Sequence, residues 1–134
     1  MPVIRLALLF FSLLLSTNTH ASAGGGGGGS SLYVSLDPAF VVNVNDGVHV
    51  RHMQVKLQVK LKQPDFAGYI ETHKPAIRHA MVMLLSGQET ATLKTVAGKQ
   101  KLMEEALAAI QGVLKENIGN EGIDAVYFTD MIIQ

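Results

Sequence analysis

Histidine is the residue type here with the most chemistry to offer, and four of the five, His49, His52, His73 and His79, lie beyond the first thirty residues. His49 and His52 stand three apart in a stretch that reads as a strand, so they point to opposite faces and cannot share one metal ion. His73 and His79 are six apart across Pro75, which is not the i, i+4 spacing that puts two ligands on one turn of helix. Neither pair has an acidic residue at motif spacing. Ser86-Gly87 lacks the G-x-S-x-G surround of a nucleophile elbow, and Ser86, His79 and Asp130 do not make a triad from sequence. Glu104-Glu105 falls on the wet face of a helix, where Lys101 and Glu105 form an i, i+4 pair. The chain has no cysteine, which excludes a disulfide framework, a thiolate zinc site and a cysteine nucleophile together. The expectation is a non-enzymatic protein with no catalytic residue, cofactor or metal.

The elements that would position such groups centre on Val48 to Lys62, VHVRHMQVKLQVKLK. From Met53 the residues alternate, with Met53, Val55, Leu57, Val59 and Leu61 on one side and Gln54, Lys56, Gln58, Lys60 and Lys62 on the other. That is a long strand with one dry and one wet face. At about 3.3 Å per residue it reaches about 45 Å, so a bend or bulge is expected where the alternation slips, around Arg51-His52. Leu32 to Leu36 reads as a first strand, broken at Asp37-Pro38. Phe40 to Val44 is a second, joined to the long strand through the Asp46-Gly47 turn signal.

Asp65 to Ser86 is helical, with Asp65 placed as its N-cap and a stripe of Phe66, Tyr69, Ile70, His73, Ile77, Ala80, Met81 and Leu84. Pro75 should kink or split this helix near Lys74. After Arg78-His79 the run AMVMLL is apolar all round. Leu93 anchors a polar connection. Val96 to Asn117 is an amphipathic helix whose dry face holds Leu102, Met103, Ala106, Leu107, Ile110, Val113 and Leu114. After a turn-rich loop, Ile123 to Gln134 is the last strand. Strict alternation makes both its faces apolar, as suits a central strand covered on both sides. The order β-β-β-α-α-β gives an α+β domain, two helices packed on one face of an antiparallel or mixed sheet.

Arg5, the apolar run Leu6 to Leu15 and Ala21-Ser22-Ala23 read as a cleaved signal peptide over residues 1–23 in preference to an uncleaved anchor, since the apolar run is short of the roughly 20 residues that span a bilayer. Gly24 to Gly29 with Ser30-Ser31 form a linker over 24–31, and 32–134 is one domain. Setting Arg5 aside, ten Lys and Arg face eleven Asp and Glu, a balance that argues against a nucleic-acid partner. Two features have a binding reading: Lys56, Lys60 and Lys62 along the wet face of the long strand, and Met81 and Met83 in AMVMLL, suited to self-association.

The succession YVSLDPAFVVNV, RHMQVKLQVKL, ETHKPAIRHAMVMLLSGQ, TVAGKQKLMEEALAAI and VYFTDMIIQ resembles the periplasmic domain of the flagellar basal-body-associated FliL family over Leu32 to Gln134. The segments that carry it are His73, Pro75, Ile77 and Arg78 followed by Leu84 to Ser86, then Gly98-Lys99, and Phe128-Thr129. The resemblance implies a stomatin/prohibitin-like fold in the periplasm at the inner membrane and basal body. It also implies a homo-oligomeric ring around the periplasmic segment of the flagellar stator, in support of swimming or swarming. Membrane association would come through the motor, because the family's usual membrane-spanning helix is replaced here by a short apolar run and a cleavage site. The alternative is a periplasmic stomatin-like adaptor with no flagellar role.

Overall fold

The computed structural model describes residues 31–134. The expected signal peptide and all but the last residue of the expected linker lie outside them. Three strands open the fold: β1 (Tyr33–Ser35), β2 (Phe40–Asp46) and β3 (His49–Leu61). A 3-10 turn (Pro64–Phe66) leads into α1 (Ala67–Thr72), α2 (Lys74–Ser86), α3 (Thr90–Leu93) and α4 (Val96–Ile118), and β4 (Ile123–Ile133) closes the chain.

β3 is the spine of a wholly antiparallel sheet, the α+β arrangement expected. β2 pairs with its first half (Phe40 to Val55, Val42 to Met53, Val44 to Arg51), and β1 with its second half (Tyr33 to Lys60, Ser35 to Gln58). β4 runs along the opposite side, from Met53 against Ile133 to Leu61 against Ile123. β1 and β2 therefore share one side of β3, interrupted at Asp37-Pro38, where proline has no N–H for the ladder. Gly47 takes the left-handed φ of 74° that a two-residue hairpin turn requires.

The dry face of β3 is as the alternation predicts: Met53, Val55, Leu57, Val59 and Leu61 are all buried. The expected bulge at Arg51-His52 is not there. Pairing with β2 runs unbroken through both residues, and the alternation slips because His49 to His52 form an exposed hairpin tip where neither face needs to be dry. The register shifts instead occur against β4, between Lys56 and Leu57 and between Lys60 and Leu61, leaving Thr129 and Asp124 as the extra residues.

These bulges overturn the reading of β4 as a central strand. Each extra residue flips the parity, so Ile123, Val126, Phe128, Met131 and Ile133 share the inner face, while Ala125, Tyr127, Asp130 and Ile132 lie outside. The apparent apolarity of both faces was one dry face displaced by a step. β4 pairs with β3 alone and is an edge strand.

Both long helices cover the inner face, α2 over β2 and α4 over β4. Pro75, at the start of α2, splits the first helical segment as expected, and His73 (φ −99°, ψ 10°) is the break. The stripe differs from expectation in detail. Ile70, Ile77, Met81 and Leu85 are buried, Leu84 is half-buried, and Tyr69 turns outward against Phe66, ring centroids 5.9 Å apart. Gln63, not Asp65, occupies the N-cap position, with Pro64 in the first turn.

α4 buries Leu102, Ala106, Ile110 and Leu114, each leucine or isoleucine worth about 1.5–3 kcal/mol relative to exposure. Its ends are capped. Thr95 Oγ1 accepts from the Gly98 N–H at 2.9 Å, and Gly119, at φ 71°, sends its N–H to the Lys115 carbonyl at 3.0 Å. Leu93 anchors α3, fully buried.

Candidate interaction surface

Among the described residues no three of His, Cys, Asp and Glu come together as a metal-holding group. His49 and His52 stand at the hairpin tip on opposite faces, and His52 Nδ1 meets Asn43 Oδ1 at 2.8 Å. His73 holds the α1–α2 junction through its backbone: its N–H donates to Tyr69 O and its carbonyl accepts from Ile77 N–H, both at 3.0 Å. No described helix is long and apolar enough to cross a membrane.

No described helix packs on the outer face of the sheet, and the lysine row lies there with three different fates. Lys56 is exposed and sits across from Asp130. Lys60 is half-buried beside Tyr33. Lys62 is held by Glu121 at 2.8 Å, which raises the lysine above its ordinary value and lowers the carboxylate below its own. The row is thus not a uniform cationic stripe.

Beside it stands a pair that the sequence reading missed. Tyr33 and Tyr127 flank the central strand, each more than 40% exposed, with ring centroids 6.2 Å apart at 49°. Cross-strand pairing of Tyr33 with Lys60 and of Tyr127 with Gln58 creates this pair, and no local pattern announces it. Val41, Val50 and Ile132 add exposed apolar area to the same face.

The two methionines separate. Met81 is 0% exposed and belongs to the core, so it offers no surface for self-association. Met83 is 65% exposed beside the partly exposed Val82, and it is the one that remains available. A helix buries one side only, so an all-round apolar run divides between core and surface.

At the hairpin tip Arg51 Nε bonds Asp46 Oδ2 and holds that carboxyl below its ordinary range. Val48, 90% exposed, projects from the turn.

The sequence profile described as "Flagellar basal body-associated protein FliL" matches residues 33–134, every described residue from Tyr33 onward. The chain belongs to the FliL family. Among its relatives is "Flagellar protein FliL" of Aquifex aeolicus, 27% identical over 99 residues, covering 74% of this chain and 59% of that protein. The protein of the same name in Escherichia coli K12 is 26% identical over 105 residues, covering 78% of this chain and 66% of that protein. The chain thus spans under two thirds of the length of these FliL relatives. The matched region is the folded domain, with both the hairpin and the β4 edge inside it.

Proposed function

We propose that this domain is a non-enzymatic component of the flagellar basal body that self-assembles in the periplasm and binds the motor stator, supporting torque for swimming or swarming. The observation that carries the reading is the family match across the whole described domain. It is supported by the kind of surface available: an open sheet face with the Tyr33–Tyr127 pair, and an apolar ridge at Val82–Met83. The stomatin/prohibitin-like likeness and the ring belong to the same proposal. So does export through residues 1–23: cleavage after Ala23 leaves the glycine run as a free end, and the domain reaches the motor by protein contacts.

An in-frame deletion strain, complemented with the intact gene, tests the role. A reduced swimming or swarming zone, restored by complementation, is expected with cells still flagellated. Normal zones on both soft and swarm agar would sink the flagellar reading in favour of an adaptor with no motility role. Intact mass from the native envelope tests the export step: a chain starting at Gly24 in the periplasmic fraction is expected, and a full-length chain in the membrane fraction would overturn cleavage.

A further inference from the structure

The free side of β4 has the makings of a strand-addition site. Even-numbered residues of β3 turn their backbone groups toward β4, as His52 does in exchanging two 2.9 Å bonds with Gln134. Odd-numbered ones turn toward β1: Leu57 O accepts from Leu36 N–H at 2.9 Å, and Leu61 N–H donates to Leu32 O at 2.7 Å. Opposed residues in an antiparallel ladder alternate between bonding each other and facing away. Tyr127, opposite Gln58, and Ala125, opposite Lys60, therefore bond to β3, while Val126 and Phe128 aim their N–H and C=O groups off the edge. Among the described residues nothing pairs with these groups.

The window Ala125 to Phe128 is bounded by the two bulges at Asp124 and Thr129, so its ladder is regular. Alongside it, between β4 and α4, runs a groove of about 220 Å³ floored by Met103, Leu107 and Val126 and rimmed by Glu104 and Asp124. Lys62, a cation within Coulombic reach of Asp124, is already tied to Glu121. The site thus offers unpaired backbone groups, an apolar trough and an acidic rim.

We infer that this edge binds an extended peptide segment of a partner protein as an additional strand, with apolar side chains and a lysine or arginine both on the face it turns toward α4. Backbone pairing with Val126 and Phe128 supplies affinity, the groove selects the apolar side chains, and Glu104 and Asp124 select the basic ones. A second copy of this chain fits less well. Two-fold pairing of Val126 with Phe128, centred on Tyr127, sets Asp124 of each copy opposite Asp130 of the other, carboxylate near carboxylate. The assignment stands on the edge and the groove and does not rest on the flagellar reading.

The test titrates the isotope-labelled full chain with two capped nonapeptides, Val-Thr-Lys-Thr-Val-Thr-Lys-Thr-Val and the same sequence with glutamate for both lysines, followed by NMR and amide exchange. Saturable shifts at Val126, Phe128, Met103 and Leu107, with slowed exchange of the Val126 and Phe128 amides, are expected for the lysine peptide. Binding of the glutamate peptide should be at least about tenfold weaker. The double variant Glu104→Lys with Asp124→Lys changes two exposed positions and should reverse that preference. Equal binding of both peptides, an unchanged preference in the double variant, or shifts elsewhere on the sheet would overturn the inference. Protection at Val126 and Phe128 that rises with protein concentration without peptide would overturn it in favour of self-pairing.

Discussion

The guanidinium of Arg78 lies 4.1 Å over the centroid of the Phe40 ring. From there it donates to the carbonyls of Leu36 at 2.9 Å and Pro38 at 2.6 Å, so one side chain on α2 fastens the break between β1 and β2. A flat guanidinium can stack on the ring while its in-plane N–H groups reach both carbonyls, a geometry that the compact ammonium of lysine reproduces less well. Arg78→Ala is expected to cost about 2–3 kcal/mol in denaturant unfolding, from lost charged hydrogen bonds and the cation–π contact. Arg78→Lys should recover less than half of it. A variant as stable as the parent would show that the break holds itself.

Two glycines of α4 should respond oppositely to the same substitution. A Cβ on Gly98 would stand 2.0 Å from the Thr92 carbonyl oxygen, a backbone atom that moves only if α3 moves, whereas one on Gly112 meets nothing within 4 Å. Gly112→Ala should stabilise by about 0.5–1 kcal/mol through helix propensity. Gly98→Ala should destabilise by about 2 kcal/mol or more as strain overrides that gain. Thermal unfolding of the two single variants decides it, and equal shifts would mean that α3 gives way freely.

Met81 and Met83, two residues apart, should separate stability from association. Met81→Ala empties a fully buried site and is expected to cost about 2–5 kcal/mol. Met83→Ala should leave stability within about 0.5 kcal/mol. If the Val82–Met83 ridge joins copies, Met83→Ala lowers the assembled fraction in sedimentation while leaving the unfolding midpoint alone. An unchanged sedimentation profile would move the self-association surface elsewhere.

The pH response follows from two exposed ion pairs. Asp46 beside Arg51 and Glu121 beside Lys62 have folded pKa values below their ordinary ones, so their small stabilisation is present above pH 4 to 5 and fades as acid protonates them through the lowered values. Lys62 is raised above 10.5, so its share is complete below that pH and is lost as alkali carries it through the raised value. Carboxyl-carbon NMR titrations should show the Glu121 midpoint rise in Lys62→Met and the Asp46 midpoint rise in Arg51→Gln. Molar salt should shrink both differences. Midpoints that do not move would dismiss the pairs.

Where a single period runs unbroken through an element, the dry side was legible in the sequence. Alternation from Met53 to Leu61 fixed the inner face of β3, Pro75 fixed the break at His73, and the spacing of Leu102, Ala106, Ile110 and Leu114 fixed the buried side of α4. These are properties of a few neighbouring residues and a period, so no distant partner needs to be known. Even the Thr129 bulge left a trace, because Val126, Phe128, Met131 and Ile133 follow steps of two, three and two. The folded sheet alone makes β4 an edge, places β1 and β2 on one side of β3, ties Lys62 to Glu121 and brings Tyr33 to Tyr127. Each of these depends on backbone groups or side chains far apart in the chain choosing one another. That choice follows from how the whole sheet closes under its helices, and no local period records it.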